Sequence, residues 1–390
     1  MNNQYRNVLI RVLMLILTFG CAACSSQAAG QFRSAKTSEA DSVRAIIIRV
    51  NDHWQSAHSA KVSAFWDHAA YQTGNMAAYE VTEKSTYFQY ATDWANFNQW
   101  QGATSNDKAI WKYNYGETMD HVLFGDWQVC FQTYIDLYNL DKQQDPQKIA
   151  RAKEVIEYEM STSKNDYWWW SDGLYMVMPV MTKLYKVTHD RRYLDKLFEY
   201  FSYADSVMFD AEIGLYYRDA RYVYPKHKTP DAKKDFWSRG DGWVFAAFAK
   251  VLADLPKNAP HRALYLSRFK SMAKAVAAAQ QPEGYWCRSI LDGKFAPGPE
   301  TSGTAFFVYG MQKGINDGIL SGTTYQMVAN KGWAYLKNIA LQPDGTVGYV
   351  QPIGERAIPG QIVDKQSTAN FGVGAFLLAA AARYKHLKSF

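Results

Sequence analysis

Residues 236–252, FWSRGDGWVFAAFAKVL, carry helical spacing but no polar face. Arg239, Asp241 and Lys250 stand singly among tryptophan, phenylalanine, alanine and glycine, so the helix predicted here is buried on most sides. Residues 124–138, FGDWQVCFQTYIDLY, have the same character, whereas residues 145–160, DPQKIARAKEVIEYEM, read as an ordinary amphipathic helix with one charged face. The contrast recurs along the chain. From about residue 40 onward helical periodicity alternates with short loops, giving about twelve segments: 41–59, 67–81, 84–100, 118–138, 145–160, 169–187, 192–209, 239–255, 260–280, 301–313, 322–341 and 367–385. The even-numbered ones are the buried kind. Twelve helices of alternating character predict an all-α fold in which six helical hairpins close into an (α/α)6 barrel, even helices inside and odd ones outside.

Parallel inner helices bring their N-terminal ends to one mouth, where the preceding loops line a pocket. The longest loops, 101–117, 210–236 and 284–300, precede inner helices and are expected to form that rim, with a short hairpin in GLYYRDARYVYP, residues 214–225. Residues 351–369 form a Gly/Pro-containing approach to the last inner helix, from which Arg356 is within reach of the rim. No Pro/Ser-rich linker interrupts the pattern, so residues 32–390 are read as one catalytic domain.

The first 31 residues read differently. Arg6 and Arg11 flank a short apolar run that ends in CAACSS, which predicts an export signal and a short tether. Cys24, after two alanines and before two serines, is the expected lipidation site, with plain secretion as the alternative. The protein is therefore expected outside the cytoplasm, periplasmic or at the cell surface, touching membrane only through that anchor. Removing Arg6 and Arg11 takes the formal charge from +6 to about +4, and no basic run is dense enough to suggest nucleic acid. Cys130 and Cys287 remain, too few for a disulfide framework, and Cys130 falls in a helical pattern that favours a buried thiol. The eight histidines form no metal-spaced cluster, and nucleotide-binding, serine-hydrolase and zincin motifs are missing. No metal or cofactor is expected.

Chemistry concentrates where the buried helices begin. In YWWWSDGLYMVMP, residues 167–179, Asp172 follows three tryptophans at the start of a helix. An indole-walled site disfavours the carboxylate anion and raises its pKa, leaving a group able to donate a proton; a first-turn aspartate stabilised by the helix dipole is the competing reading. Asp126 lies in the preceding inner helix and is expected to face Asp172 across a substrate-sized gap, two carboxylates in one aromatic pocket suiting sugar chemistry. Arg239 offers a guanidinium fork for a carboxylate ligand, or pairs with Asp235 or Asp241. Trp237 and Trp243 flank it as stacking surfaces, and Trp127 and Trp170 join them. Glu300, Thr301 and Ser302 read chiefly as a helix cap.

The motifs FGDWQVCFQTYIDLY, WWWSDGLYMVMP, FWSRGDGW and ETSGTAFFVYG, in this order, resemble the unsaturated uronyl hydrolases of glycoside hydrolase family 105, related to family 88. The resemblance spans roughly residue 40 to the C-terminus. It implies an (α/α)6 barrel acting on acidic oligosaccharides left by polysaccharide lyases, such as those from rhamnogalacturonan, other pectins or ulvan. The non-reducing 4,5-unsaturated uronate is removed by protonation at C4 and addition of water at C5. It also implies that Asp172 is the general acid and base, Asp126 the second essential carboxylate, and Arg239 and Trp243 pocket residues for the uronate. Two positions depart from the family pattern: Asp241 stands where many members have Asn, and Arg218 where many have His. Arg218 either replaces the histidine in binding substrate or neutralises Asp219 or Asp241. A glycosidase for a saturated glucuronide and a non-catalytic sugar-binding lipoprotein are the competing functions. Oligomeric state is open.

Overall fold

The computed structural model describes residues 39–389, so Cys24 and the export segment lie outside the described residues. Twelve α-helices occur among them: α1 (39–57), α2 (Trp66–Thr82), α3 (Ser85–Phe97), α4 (Cys130–Leu140), α5 (Gln147–Ser161), α6 (Ser171–Thr188), α7 (Arg192–Met208), α8 (Ser238–Asp254), α9 (Arg262–Ala278), α10 (Thr301–Asn316), α11 (Thr323–Tyr335) and α12 (Asn370–Lys388). Helix α2 packs on α4, α4 on α6, α6 on α8, α8 on α10, α10 on α12, and α12 back on α2. The even helices thus form the closed inner ring of an (α/α)6 toroid. Helices α3, α5, α7, α9 and α11 each lie against the inner helix before or after them, outside the ring.

Side-chain size sets how tightly the ring closes. At the α2/α12 contact a Cβ on Gly74 would lie 2.2 Å from the Gly374 carbonyl oxygen, and one on Gly374 would lie 2.5 Å from that of Ala70. Only glycine permits this approach of the two backbones.

Helix α6 contains Pro179, which has no N–H to give the carbonyl of Tyr175. That carbonyl accepts instead from Gln132 Nε2 of α4 at 2.7 Å, and Gln132 Oε1 in turn accepts from Lys250 Nζ of α8 at 3.2 Å. One amide therefore repairs the backbone gap and holds a lysine whose pKa burial pulls down to about 8. Gln132→Leu keeps the volume and removes both bonds. It should lower unfolding stability by about 2–4 kcal/mol, read from urea titration with unchanged m-value.

One predicted helix start moves by a dozen residues. The segment expected to be helical from residue 118 runs as turns to residue 124, then a 310 turn at Gly125–Trp127, and α4 begins at Cys130. Asp126 is therefore on a one-turn support, not in the body of a helix. The turn is held by Gln128, whose amide donates to Glu159 Oε1 of α5 at 2.5 Å and to the Val122 carbonyl at 3.4 Å. The hairpin expected within residues 214–225 does not form there: β2 (Leu215–Tyr216) pairs antiparallel with β1 (Phe209–Asp210), which precedes that stretch, and residues 217–225 run as turns and bends. Cys130 is a buried free thiol, and so is Cys287.

Candidate active site

The N-terminal ends of α2, α6 and α8, with the Asp126 turn, surround a cavity of about 640 Å³. Asp126, Asp172, Trp170, Arg218, Trp237 and Arg239 all line it, so most of the expected site residues meet in one place. Its position follows from local packing. Trp170 caps the start of α6 in extended backbone, and its ring is wedged against glycines: a Cβ on Gly125 or Gly173 would come within 3.2 Å of the indole. Those two glycines let the Asp126 turn and the first turn of α6 close around one indole. Beyond β2 the chain returns to α6, where Ser171 N–H donates to the Arg218 carbonyl at 2.7 Å and Trp170 bridges Asp219. This register sets the Arg218 side chain beside Asp172, with Arg218 Nε 3.7 Å from Asp172 Oδ2.

Both carboxyls are pushed up in pKa, for different reasons. For Asp126 the cause is burial first and the Asp172 charge second, Arg218 opposing, and the result lies well above the usual carboxylate range. Asp172 is raised by burial, but Arg218, then Arg239, then a 3.1 Å hydrogen bond from Ser171 Oγ pull it back. The two carboxyls are coupled, and in the substrate-free site Asp126 is the more strongly raised of the two. Indole walls alone do not set the acidity of Asp172; the nearby guanidinium opposes them.

The three arginines of the cavity differ in what they have to spare. Arg239 is 1% exposed, sandwiched between Trp237 and Phe371 at 4.5 and 4.8 Å from the ring centroids. Its terminal nitrogens donate to the carbonyls of Gln351 and Pro352, both at 2.8 Å. The fork expected to take a ligand carboxylate therefore seats a loop instead, and burial lowers its pKa. Its predicted ion pairs with Asp235 and Asp241 are not made; Glu300, at 3.9 Å, is the nearby acid. Arg221 donates to Asp219 and to Glu355, each at 2.8 Å through Nη2. Arg218 gives Nη1 to Asp219 at 2.7 Å, while its buried Nε has no hydrogen-bond partner.

Two expected stacking residues lie behind the wall. Trp243 is fully buried, one turn further along α8 than Arg239, packed on Tyr175 and Phe306 at 4.7 and 4.3 Å between ring centroids with Trp66 edge-on to it. Trp127 packs behind Phe65 at 4.7 Å. Neither lines the cavity; Trp66, Trp169 and Tyr115 do. Asp241 also turns away from it, since two residues beyond Arg239 is the other side of a helix. Its Oδ1 accepts from the Tyr216 N–H at 2.8 Å, its Oδ2 is unpaired, and burial raises its pKa well above the usual range. Asp241 does not line the cavity, so the expected extra negative charge beside the ligand does not arise.

The rim is built by two of the three expected loops. Tyr115 and Glu117 come from the first, Arg218 and Arg221 from the second. The third, residues 284–300, packs against the start of α8, with Ser238 N–H donating to the Arg288 carbonyl at 2.9 Å and a bridge between Trp237 and Ser289. Its place is taken by Ile353, Gly354 and Glu355, and Arg356 points to solvent. Glu300 is the cap it was read to be, accepting from the N–H groups of Ser302 and Gly303.

A protein-family model described as Glycosyl Hydrolase Family 88 matches residues 38–387. The chain belongs to this family. The motif resemblance pointed to family 105 and its relative family 88, and the match is to the latter. A solved family 88 glycosyl hydrolase from Bacteroides vulgatus is 59% identical, with TM-score 0.86 over 88% of this chain and 99% of its own. A second solved structure, described as a polysaccharide lyase, is 62% identical with TM-score 0.88, over 90% of this chain and 99% of its own. The unsaturated 3S-rhamnoglycuronyl hydrolase of Formosa agariphila is 30% identical across 96% of this chain and 98% of that protein. This family 88 member is a glycoside hydrolase that acts on oligosaccharides.

Proposed function

We propose that this hydrolase removes a 4,5-unsaturated uronic acid from the non-reducing end of an oligosaccharide by hydrating its enol-ether double bond. The observation that carries the reading is the unpartnered Arg218 Nε, buried beside Asp172 in a cavity that also holds Asp126. A uronate carboxylate on that guanidinium brings its ring against Trp169, whose ring lies 5.7 Å from the Arg218 carbon. The double bond then lies next to the paired acids. A proton passes from Asp172 to C4, the cation that forms is shared between C5 and the ring oxygen, and water adds at C5 as its proton passes to the deprotonated carboxylate. The hemiketal at C5 opens and releases the neighbouring sugar. Asp126 keeps the pair's charge low enough for Asp172 to be reprotonated. Arg239 and Gln351 hold the 351–357 loop over the site and exclude water from it.

The sign of one absorbance change tests this. Purified protein incubated with unsaturated glucuronyl and galacturonyl disaccharides should cause loss of ultraviolet absorbance from the double bond. A rise in absorbance on an intact polysaccharide would mean elimination, the activity by which one relative is described. Cleavage of a saturated glucuronide with every unsaturated substrate left intact would also overturn the proposal.

A further inference from the structure

The buried cationic donors of this cavity allow for one negative charge on the substrate. Of the three arginines that line it among the described residues, Arg221 is spent on Asp219 and Glu355, and Arg239 on two backbone carbonyls. Only Arg218 keeps an unpartnered buried donor. The uronate carboxylate takes that donor, and a second anion finds only the solvent-exposed side of Arg221, whose charge is already set against Asp219 and Glu355.

The mouth is acidic. Glu117 is exposed there, its carboxylate accepting from the Tyr115 hydroxyl at 3.1 Å, with no lysine or arginine paired to it among the described residues. Asp67 accepts from Asn370 Nδ2 at 2.9 Å and, among the described residues, has no lysine or arginine paired to it, the His68 ring lying 3.9 Å away. Glu355 closes the third side, its charge already set against Arg221 at 2.8 Å and Arg218 at 3.5 Å. Beside these carboxylates the mouth presents apolar and aromatic surface: Trp66, Tyr115 and the two-thirds exposed Ile353. Such a surface stacks on a sugar ring and gives a charged substituent no compensation.

We propose that the subsite for the sugar being released takes an uncharged residue, a neutral hexose or deoxyhexose, and discriminates against one bearing a sulfate ester or a second carboxylate. This inference rests on the unsaturated uronyl hydrolase reading. An anion placed at the mouth is repelled by Glu117 and Asp67 through partly solvated space, an unfavourable term that falls with ionic strength.

The test compares two disaccharides with the same unsaturated uronate, one linked to a neutral hexose and one to the same hexose carrying a sulfate. In dilute buffer, kcat/KM for the neutral substrate should exceed that for the sulfated one by about tenfold or more. The ratio should shrink as salt is raised to about 0.5 M. Glu117→Lys, at an exposed position, should reduce the ratio at least several-fold by improving the sulfated substrate. Equal turnover of both substrates by the unaltered protein, or a preference for the sulfated one, overturns the inference and leaves the hydrolase reading intact. A ratio that Glu117→Lys does not move overturns the assignment of the barrier to the acidic rim. Turnover of neither substrate overturns the hydrolase reading, and the inference with it.

Discussion

Asp172→Asn should lower kcat/KM for an unsaturated uronyl disaccharide by about 10³-fold or more, while the substrate still binds. The amide has the shape of the acid and keeps the contact with Ser171, and Arg218 remains in place to hold the substrate carboxylate. What is lost is the proton. The test is sharper than usual because the substrate-free electrostatics favour the other carboxyl: Asp126 is pushed further up, and Asp172 is drawn back by Arg218 and Arg239. If Asp126 were the donor, Asp172→Asn would retain activity within about tenfold and Asp126→Asn would abolish it. We expect Asp172 because the substrate changes the balance. Once a uronate carboxylate sits on Arg218, the charge that lowers Asp172 is neutralised, its pKa rises in the complex, and the proton moves to the residue beside the double bond. The same argument gives a pH signature. The basic limb of the kcat profile should lie at higher pH than that of kcat/KM, because the former reports the bound state.

The ring of helices was legible because burial on all sides leaves a compositional mark. Helix α8 reads FWSRGDGWVFAAFAKVL around its whole circumference, and α5 does not. The two acids were legible for a related reason: a carboxylate among indoles has few structural uses. The same logic was available for Phe65-Trp66-Asp67 at the start of α2, which repeats the aromatic-then-acid pattern of FGDW and WWWSD, and all three residues line the cavity. That signal was there to be read and was missed. Other features were not in the pattern at all. Whether Arg239 faces ligand or backbone depends on loop 351–357, more than a hundred residues away in sequence, arriving with its carbonyls over α8. Trp243 looked like a stacking residue because it is near Arg239 in sequence, but four residues along a helix is one turn deeper, where Trp66 covers it. Asp241 shows the converse: a charge that reads as a change of ligand chemistry is turned away from the cavity and holds the Tyr216 N–H of β2 instead.

Arg218→Met should be the second most damaging substitution, raising KM and lowering kcat/KM by about 10² to 10³-fold. The prediction rests on the arginine being free to bind and not merely structural. Its backbone carbonyl, not its side chain, holds the start of α6, through Ser171. Asp219, the one residue its side chain firmly holds, keeps three hydrogen bonds from Arg221 without it. The fold around the cavity should therefore survive, and thermal unfolding should move by only a few degrees. Binding should not survive, because no other cation of the cavity has a spare buried donor. A second effect separates this reading from general damage. Arg218 is the first of the charges that lower Asp172, so its removal raises that carboxyl further. A raised acid stays protonated to higher pH, so the basic limb of the residual activity should shift upward. A purely structural role would lower activity at every pH and leave the limb where it was. Arg218→Lys should recover part of KM through its charge but not the two-pronged contact, and should return the limb toward its original position. An unchanged KM in Arg218→Met would remove Arg218 from the substrate site and return the carboxylate to Arg239.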